Sequence, residues 1–288
     1  MKLATFTHQG RSRVGAVVGE EVADLSGRGL PETMLALLEG GPEALAAAEA
    51  AISAAPRFSL ANVRLEAPLA RPPKILAVGL NYRAHAAEGG REAPKIPVIF
   101  NKQSTSVSGP FDVVHCPPES VQVDYEGELA IVIGTRCRRV SAANARSVVA
   151  GYAVANDVSV RDWQLRVPTM TMGKSWDTHC PFGPWITTVD EVPDPHALTL
   201  QTRVNGELRQ DACTSDLIFN CDQIIEHLST AFTLEPGDLI LTGTPSGVGL
   251  YHKPPAWLKA GDVVRIEIMG LGVIENRVVD EPVNGVTR

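Results

Sequence analysis

VDYEGELAIVIG, residues 123–134, runs three carboxylates straight into an apolar segment. A strand's period of two puts Asp124, Glu126 and Glu128 on one face, continuing into Ala130 and Val132. Similar short runs rich in β-branched residues lie on either side: ILAVGL (75–80), VIFNK (98–102), YAVAND (152–157), WITTV (185–189), LTLQTRVNG (198–206) and DLILTG (238–243). Gly, Pro and Asp separate them. Two helices interrupt the pattern. One follows Ser141 through AANARSVVA; the other follows Asn220, where Gln223 three residues on makes a box-like start. Near the end, GDVVRIEIM (261–269) and VIENRVV (273–279) flank Gly270-Leu271-Gly272 as a hairpin. Strands outnumber helices without a regular β-α alternation. The fold class is therefore α+β, mainly β, a roll or sandwich rather than a doubly wound sheet or an α/β barrel.

Ahead of this region, KLATF (2–6) and GAVVGEEVADL (15–25) alternate like strands. The Ala/Leu/Glu-rich stretch 31–55 reads as helix broken at Gly40-Gly41. The Pro-rich LEAPLARPPK (65–74) disfavours helix and marks a boundary. The expectation is a small N-terminal α+β domain over residues 1–70 and a main domain over 71–288.

A hydrophobic content of 44% with 20% charged residues is that of a globular chain. A formal charge of -7 makes nucleic acid a poor partner, since the surface repels polyphosphates on average. No apolar run approaches the roughly 20 residues that cross a bilayer, and the first residues have no apolar signal core. No membrane association and a cytoplasmic location are the resulting expectations. Five cysteines without a C-x-x-C pair read as reduced thiols, mostly filling the core.

The carboxylates of 124–128 have two readings, a solvated strand end or a cation site. Self-repulsion favours the second, because neighbouring carboxylates entering a partly desolvated strand bind protons unless a positive charge compensates them. Asp157 ends another apolar run, and no cluster of basic residues stands out as a match. Oxygen ligands without an obvious His or Cys partner suit a hard cation, Mg²⁺ first and Mn²⁺ second. In GLNYRAHAAEGG (79–90), His85 and Glu88 stand three residues apart. They form either a structural pair or a general base with its orienting carboxylate. Lys174 in MGKSWDTHCPFGPW could meet a substrate carboxylate or carbonyl, or simply face water. Arg161 and Gln164 in RDWQ are equally open. LTGTPSGVG (241–249) lacks the endings of a nucleotide loop and reads as a tight turn, from which Thr244 could reach a substrate.

Taken in order, G-x-N-Y-x-x-H-x-x-E, F-x-K, D-Y-E-x-E-L, N-D-V-x-x-R-D-x-Q, G-K-S-x-D-T-x-C-P-x-G-P, V-N-G-E-x-x-Q and L-T-G-T-P-x-G-V-G make the chain resemble the fumarylacetoacetate hydrolase superfamily. The similarity spans about residues 75–280. The stretch GKSWDTHCPFGPW looks nearest to the branch with the FAH-domain-containing 2 proteins and acylpyruvases. The resemblance implies a mixed β-sandwich roll, a homodimer, and Mg²⁺ or Mn²⁺ held by Glu126, Glu128 and Asp157. It implies His85 and Glu88 as the water-activating dyad, with Lys174 behind the metal ligands. Gln164, Thr244 and, less directly, Arg161 take substrate-contacting positions.

The superfamily includes C-C hydrolases, oxaloacetate decarboxylases, and isomerases or hydratases, so fold transfers better than reaction. The leading expectation is hydrolysis of a C-C bond in a 2,4-dioxo acid, with a cation drawing electrons toward C2 so that a pyruvate enolate leaves. Oxaloacetate decarboxylation or 2-hydroxymuconate-type isomerisation on the same site is the rival, and a catalytically silent binding module is the third. Residues 83–97, rich in Gly, Ala and charge, read as a lid that becomes helical over a bound 2-oxo acid.

Overall fold

In the computed structural model, which describes residues 1–282, the strand Gly127–Ile133 is buried along its whole length at the middle of a twelve-stranded sheet. Residues 283–288, the end of the expected 71–288 domain, lie outside the described residues. On one side the central strand pairs antiparallel with Val149–Asn156, and on the other with Leu239–Leu241. Beyond Leu239–Leu241 the sheet adds Ile75–Gly79 in parallel and then Val98–Lys102. Beyond Val149–Asn156 it adds Cys180–Thr188, then Lys2–His8, Arg11–Val18, Glu21–Asp24 and Arg57–Ser59. The N-terminal strands thus continue the main sheet, through Lys2↔Thr187 and Leu3↔Ile186. Residues 66–74 form neither helix nor strand.

A second sheet runs in the order Glu207–Cys213, Thr199–Val204, Val263–Ile268, Gly272–Asp280, Val114–Cys116. It contains the expected hairpin, closed at Ile268↔Gly272. Leu129, Ile131 and Ile133 share a core with Ile266 and Ile274 of this sheet and with Ile224 and Leu228 of the helix Cys221–Ala231. Ala130 and Val132 point the other way, into a core with Leu37, Leu38 and Phe182. Both faces of the central strand are therefore covered. That is why its sequence is a continuous apolar run and not an alternation, each fully buried Leu or Ile stabilising the fold by about 1.5–3 kcal/mol.

Two helical expectations are met. The helices Met34–Glu39 and Gly41–Ala51 break where Gly41 takes φ +65°, and Asn220 forms a full capping box. Asn220 Oδ1 accepts from Gln223 N at 2.9 Å while Gln223 Oε1 accepts from Asn220 N at 3.0 Å. AANARSVVA is a correction. Ala142–Val148 is a 3-10 turn, and Val149 already belongs to the strand beside Gly127–Ile133, because β-branched residues there gain more from the central ladder than from a helix. No helix among the described residues is long and apolar enough to cross a membrane.

Candidate active site

Strand register assembles the carboxylates. Gly127 pairs with Asn156, so Glu126 and Asp157 face each other one residue further on, and Asp157 N donates to Glu126 O at 2.9 Å. Asn156 Oδ1 holds Glu126 N at 3.0 Å. Oxygens of Glu126, Glu128 and Asp157 lie within 4.8 Å of one another, and all three residues are buried. The residue between the two glutamates must be glycine, because a Cβ on Gly127 would stand 2.3 Å from Thr202 Oγ1 of the second sheet. Glu128 Oε2 accepts from Gly243 N at 2.6 Å, where φ of +103° turns the chain back toward the site.

Asp124 does not join this group, contrary to the single-face reading. The strand containing it, Val123–Asp124, pairs separately with Ser159–Val160, and the period of two is lost across Tyr125 and Glu126. Its carboxylate accepts instead from Gly249 N at 2.7 Å, Leu250 N at 3.0 Å and Arg161 Nε at 2.9 Å.

The expected lack of matching cations is also corrected: three buried basic side chains converge here. Lys174 Nζ lies 2.7 Å from Glu126 Oε2 and 2.6 Å from Asp157 Oδ2. Lys102 Nζ lies 2.7 Å from Asp157 Oδ1 and also donates to Lys174 O. Arg161 bridges Asp124 and Glu126, with Nη1 at 2.6 Å from Glu126 Oε1. Burial by itself would raise the Glu126 carboxyl, but Lys174 and Arg161 overcome it and hold Glu126 well below the usual carboxylate range. Glu128 goes the other way, pushed well above that range by burial and then by Asp157 and Glu126. Among the described residues no basic side chain lies within 4.0 Å of it. An all-oxygen donor set whose third carboxylate lacks a cation fits a divalent ion such as Mg²⁺ or Mn²⁺.

Glu126, Glu128, Arg161 and Lys174 of this group floor a cavity of about 470 Å³. His85 enters it from the helix Arg83–Glu88, with Nδ1 3.3 Å from Glu88 Oε2. Gly247 N fixes Glu88 by approaching both carboxylate oxygens, at 3.0 and 3.2 Å. Within the segment expected to form a lid, Arg83–Glu88 is a helix, tied down where Ala84 N donates to Asp216 Oδ2 at 3.0 Å. Thr244 lines the cavity, its hydroxyl donating to Gly127 O at 3.0 Å and accepting from Gln210 Nε2 at 2.8 Å. Gln164 also lines it and accepts from Arg161 Nη1 at 3.0 Å. Seven of the nine expected residues line this cavity, while Glu88 and Asp157 stand behind it against His85 and Lys174, and Arg161 is engaged chiefly by carboxylates of its own chain.

Three contributors had no role assigned from sequence. Lys102 and Gln210 stood in quoted motifs, F-x-K and V-N-G-E-x-x-Q, yet their partners are distant in sequence. Tyr251 sits 5.7 Å, ring to ring, from His85 and carries no motif signal.

Residues 74–279 match the family model described as the fumarylacetoacetate (FAA) hydrolase C-terminal domain. Oxaloacetate tautomerase Fahd2a, mitochondrial, from Rattus norvegicus is 46% identical over 266 residues, which is 91% of this chain and 85% of that protein. The crystal structure of maleylpyruvate hydrolase from Sphingobium sp. SYK-6 in complex with manganese (II) ion and pyruvate aligns with a TM-score of 0.83 at 37% identity, covering 98% of this chain and 100% of that one. Fumarylacetoacetate hydrolase from Exiguobacterium antarcticum aligns with a TM-score of 0.88 at 38% identity and the same coverage.

Proposed function

Because the chain belongs to the fumarylacetoacetate hydrolase family, we propose that it moves a proton at the carbon next to the keto group of a small 2-oxo acid, interconverting the keto and enol forms of oxaloacetate. The observation that carries this reading is His85, paired through Nδ1 with Glu88, in the same cavity as Glu126 and Glu128, whose oxygens lie within 4.8 Å of an oxygen of Asp157. With the Nδ1 proton directed at Glu88, Nε2 keeps its lone pair and can accept a proton from C3. As that C-H bond breaks, its electrons form the C2-C3 double bond and the carbonyl pair moves onto the C2 oxygen. The proton then returns to that oxygen by way of solvent. Glu88 stabilises the transient imidazolium. A divalent ion, Mg²⁺ or Mn²⁺, held by the three carboxylates supplies positive charge for the oxygen end of the substrate. Lys174 and Arg161 keep Glu126 ionised, while Gln164 and Thr244 offer polar contacts on the cavity wall.

The name of the rat relative supports oxaloacetate as substrate, and the manganese in the Sphingobium structure supports the class of ion. Hydrolysis of a C-C bond in a 2,4-dioxo acid is the second reading, favoured by the similarity to a maleylpyruvate hydrolase. There Nε2 of His85 takes a proton from water as its oxygen adds to the C4 carbonyl; the C3-C4 bond then breaks, its electron pair leaving as a pyruvate enolate that takes up a proton at C3 while C4 becomes a carboxylic acid. The homodimer and the cytoplasmic location expected from sequence belong to the same proposal, the latter beside a relative whose name says mitochondrial. Turnover of a panel of 2-oxo acids with Mg²⁺ and Mn²⁺, with products identified by mass and by nuclear magnetic resonance, tests both readings. Enolisation without bond cleavage supports the first and pyruvate release from an acylpyruvate the second. No turnover of any member leaves a binding module and refutes both.

A further inference from the structure

We propose that Arg91 selects substrates bearing a second carboxylate, making the cavity specific for 2-oxo dicarboxylates. The inference rests on the 2-oxo acid reading of the site and adds a residue that sequence did not single out.

The pairing of the other cations at the site argues for it. The cations of Lys102, Arg161 and Lys174 are already paired with the chain's own carboxylates, Asp157 for Lys102, Asp124 and Glu126 for Arg161, Glu126 and Asp157 for Lys174. A second carboxylate must find its cation elsewhere. The rest of the cavity wall is largely apolar, with Val98, Phe100, Leu165, Val167 and Leu250. A carboxylate lodged among these side chains without a partner would be strongly disfavoured.

Two guanidinium groups line the cavity beyond the floor, Arg91 and Arg166. Arg166 is engaged, lying 3.9 Å over the Trp163 ring and 3.7 Å from Asp162. Arg91 has no carboxylate within 4.0 Å among the described residues. Its backbone is nonetheless held, because Arg91 N donates to Ala86 O at 2.8 Å just past the helix that carries His85. The uncommitted cation therefore lies three residues beyond the helix that carries the base, and a substrate whose distal carboxylate pairs with Arg91 is drawn toward His85. Charge-assisted pairing of this type discriminates by charge and not by size.

N-Oxalylglycine and N-methyloxamate share one chelating head and differ by the distal carboxylate, and neither can enolise or be cleaved at the carbon the enzyme attacks. Calorimetric binding of each to the Mn²⁺-loaded protein, for the parent, Arg91→Gln and Arg166→Gln, tests the assignment. The parent should prefer N-oxalylglycine, and Arg91→Gln should cut that preference about tenfold while leaving N-methyloxamate affinity unchanged. Arg166→Gln should keep it. The proposal is overturned if Arg91→Gln leaves the preference within twofold, or if Arg166→Gln removes it instead. Failure of both compounds to bind the loaded parent would bring down the 2-oxo acid reading, and this assignment with it.

Discussion

Lys102 Nζ lies 2.7 Å from Asp157 Oδ1, on the oxygen opposite the one that Lys174 holds at 2.6 Å. Both side chains are fully buried, so neither charge has water to fall back on. Asp157 is thus held between two ammonium groups, one contributed by an edge strand and one by the short helix Thr171–Lys174.

Lys102→Met removes one of these cations and leaves a buried carboxylate partly uncompensated. The expected loss of stability is about 3–5 kcal/mol, the usual cost of breaking a buried pair from one side. Urea titration of the metal-free protein measures it. A midpoint shift corresponding to less than about 1 kcal/mol would mean that Lys102 is not needed to hold Asp157.

Glu128 carries the raised carboxyl of the site, because burial and its two acidic neighbours favour the protonated form. Uptake of Mn²⁺ should therefore expel a proton from the metal-free protein. Calorimetry in buffers of different ionisation enthalpy reads the number released. Glu128→Gln should reduce that release and weaken Mn²⁺ binding; equal proton release by parent and variant would contradict the assignment.

His179 supplies a pH dependence independent of the site. It is buried and donates through Nε2 to His115 O at 2.7 Å, and burial pushes its pKa from 6.5 down to about 3. A folded value below the unfolded one means that the unfolded chain takes up the proton first as pH falls. Stability should drop from pH 6.5 toward pH 3, with no effect of this residue above 6.5. His179→Gln should make the slope of unfolding free energy against pH shallower by about 1.4 kcal/mol per pH unit in that window, whatever its effect at neutral pH. Parallel slopes for parent and variant would sink the account of His179.

Much of this was legible because local rules and tertiary needs agree. Asn220 and Gln223 announce their helix by the spacing of a capping box, and Leu129 to Ile133 announce a doubly covered strand by unbroken apolarity. Self-repulsion among Asp124, Glu126 and Glu128 signalled a need for positive charge, and the family resemblance implied Glu126, Glu128 and Asp157 as the ligands. What escaped was set by long-range geometry. Asp124 left the group because the chain leaves its strand at Tyr125, and Arg161, 37 residues away, claims it. Lys102 meets Asp157 across 55 residues, and nothing in VIFNK distinguishes it from a solvated lysine at a strand end. The joining of Lys2–His8 to Cys180–Thr188 is equally silent, since register between distant strands leaves no local trace.

If His85 moves the proton at C3, it governs how fast oxaloacetate approaches its keto-enol equilibrium, which the ultraviolet absorbance of the enol follows. The Mn²⁺-loaded parent should far outpace Mn²⁺ alone in the same buffer. His85→Ala should be slower than the parent by roughly 10²–10⁴-fold, as for a lost general base, while binding Mn²⁺ and N-oxalylglycine as tightly as before. A parent no faster than the free ion, or a His85→Ala variant within a few-fold of the parent, would contradict the claim.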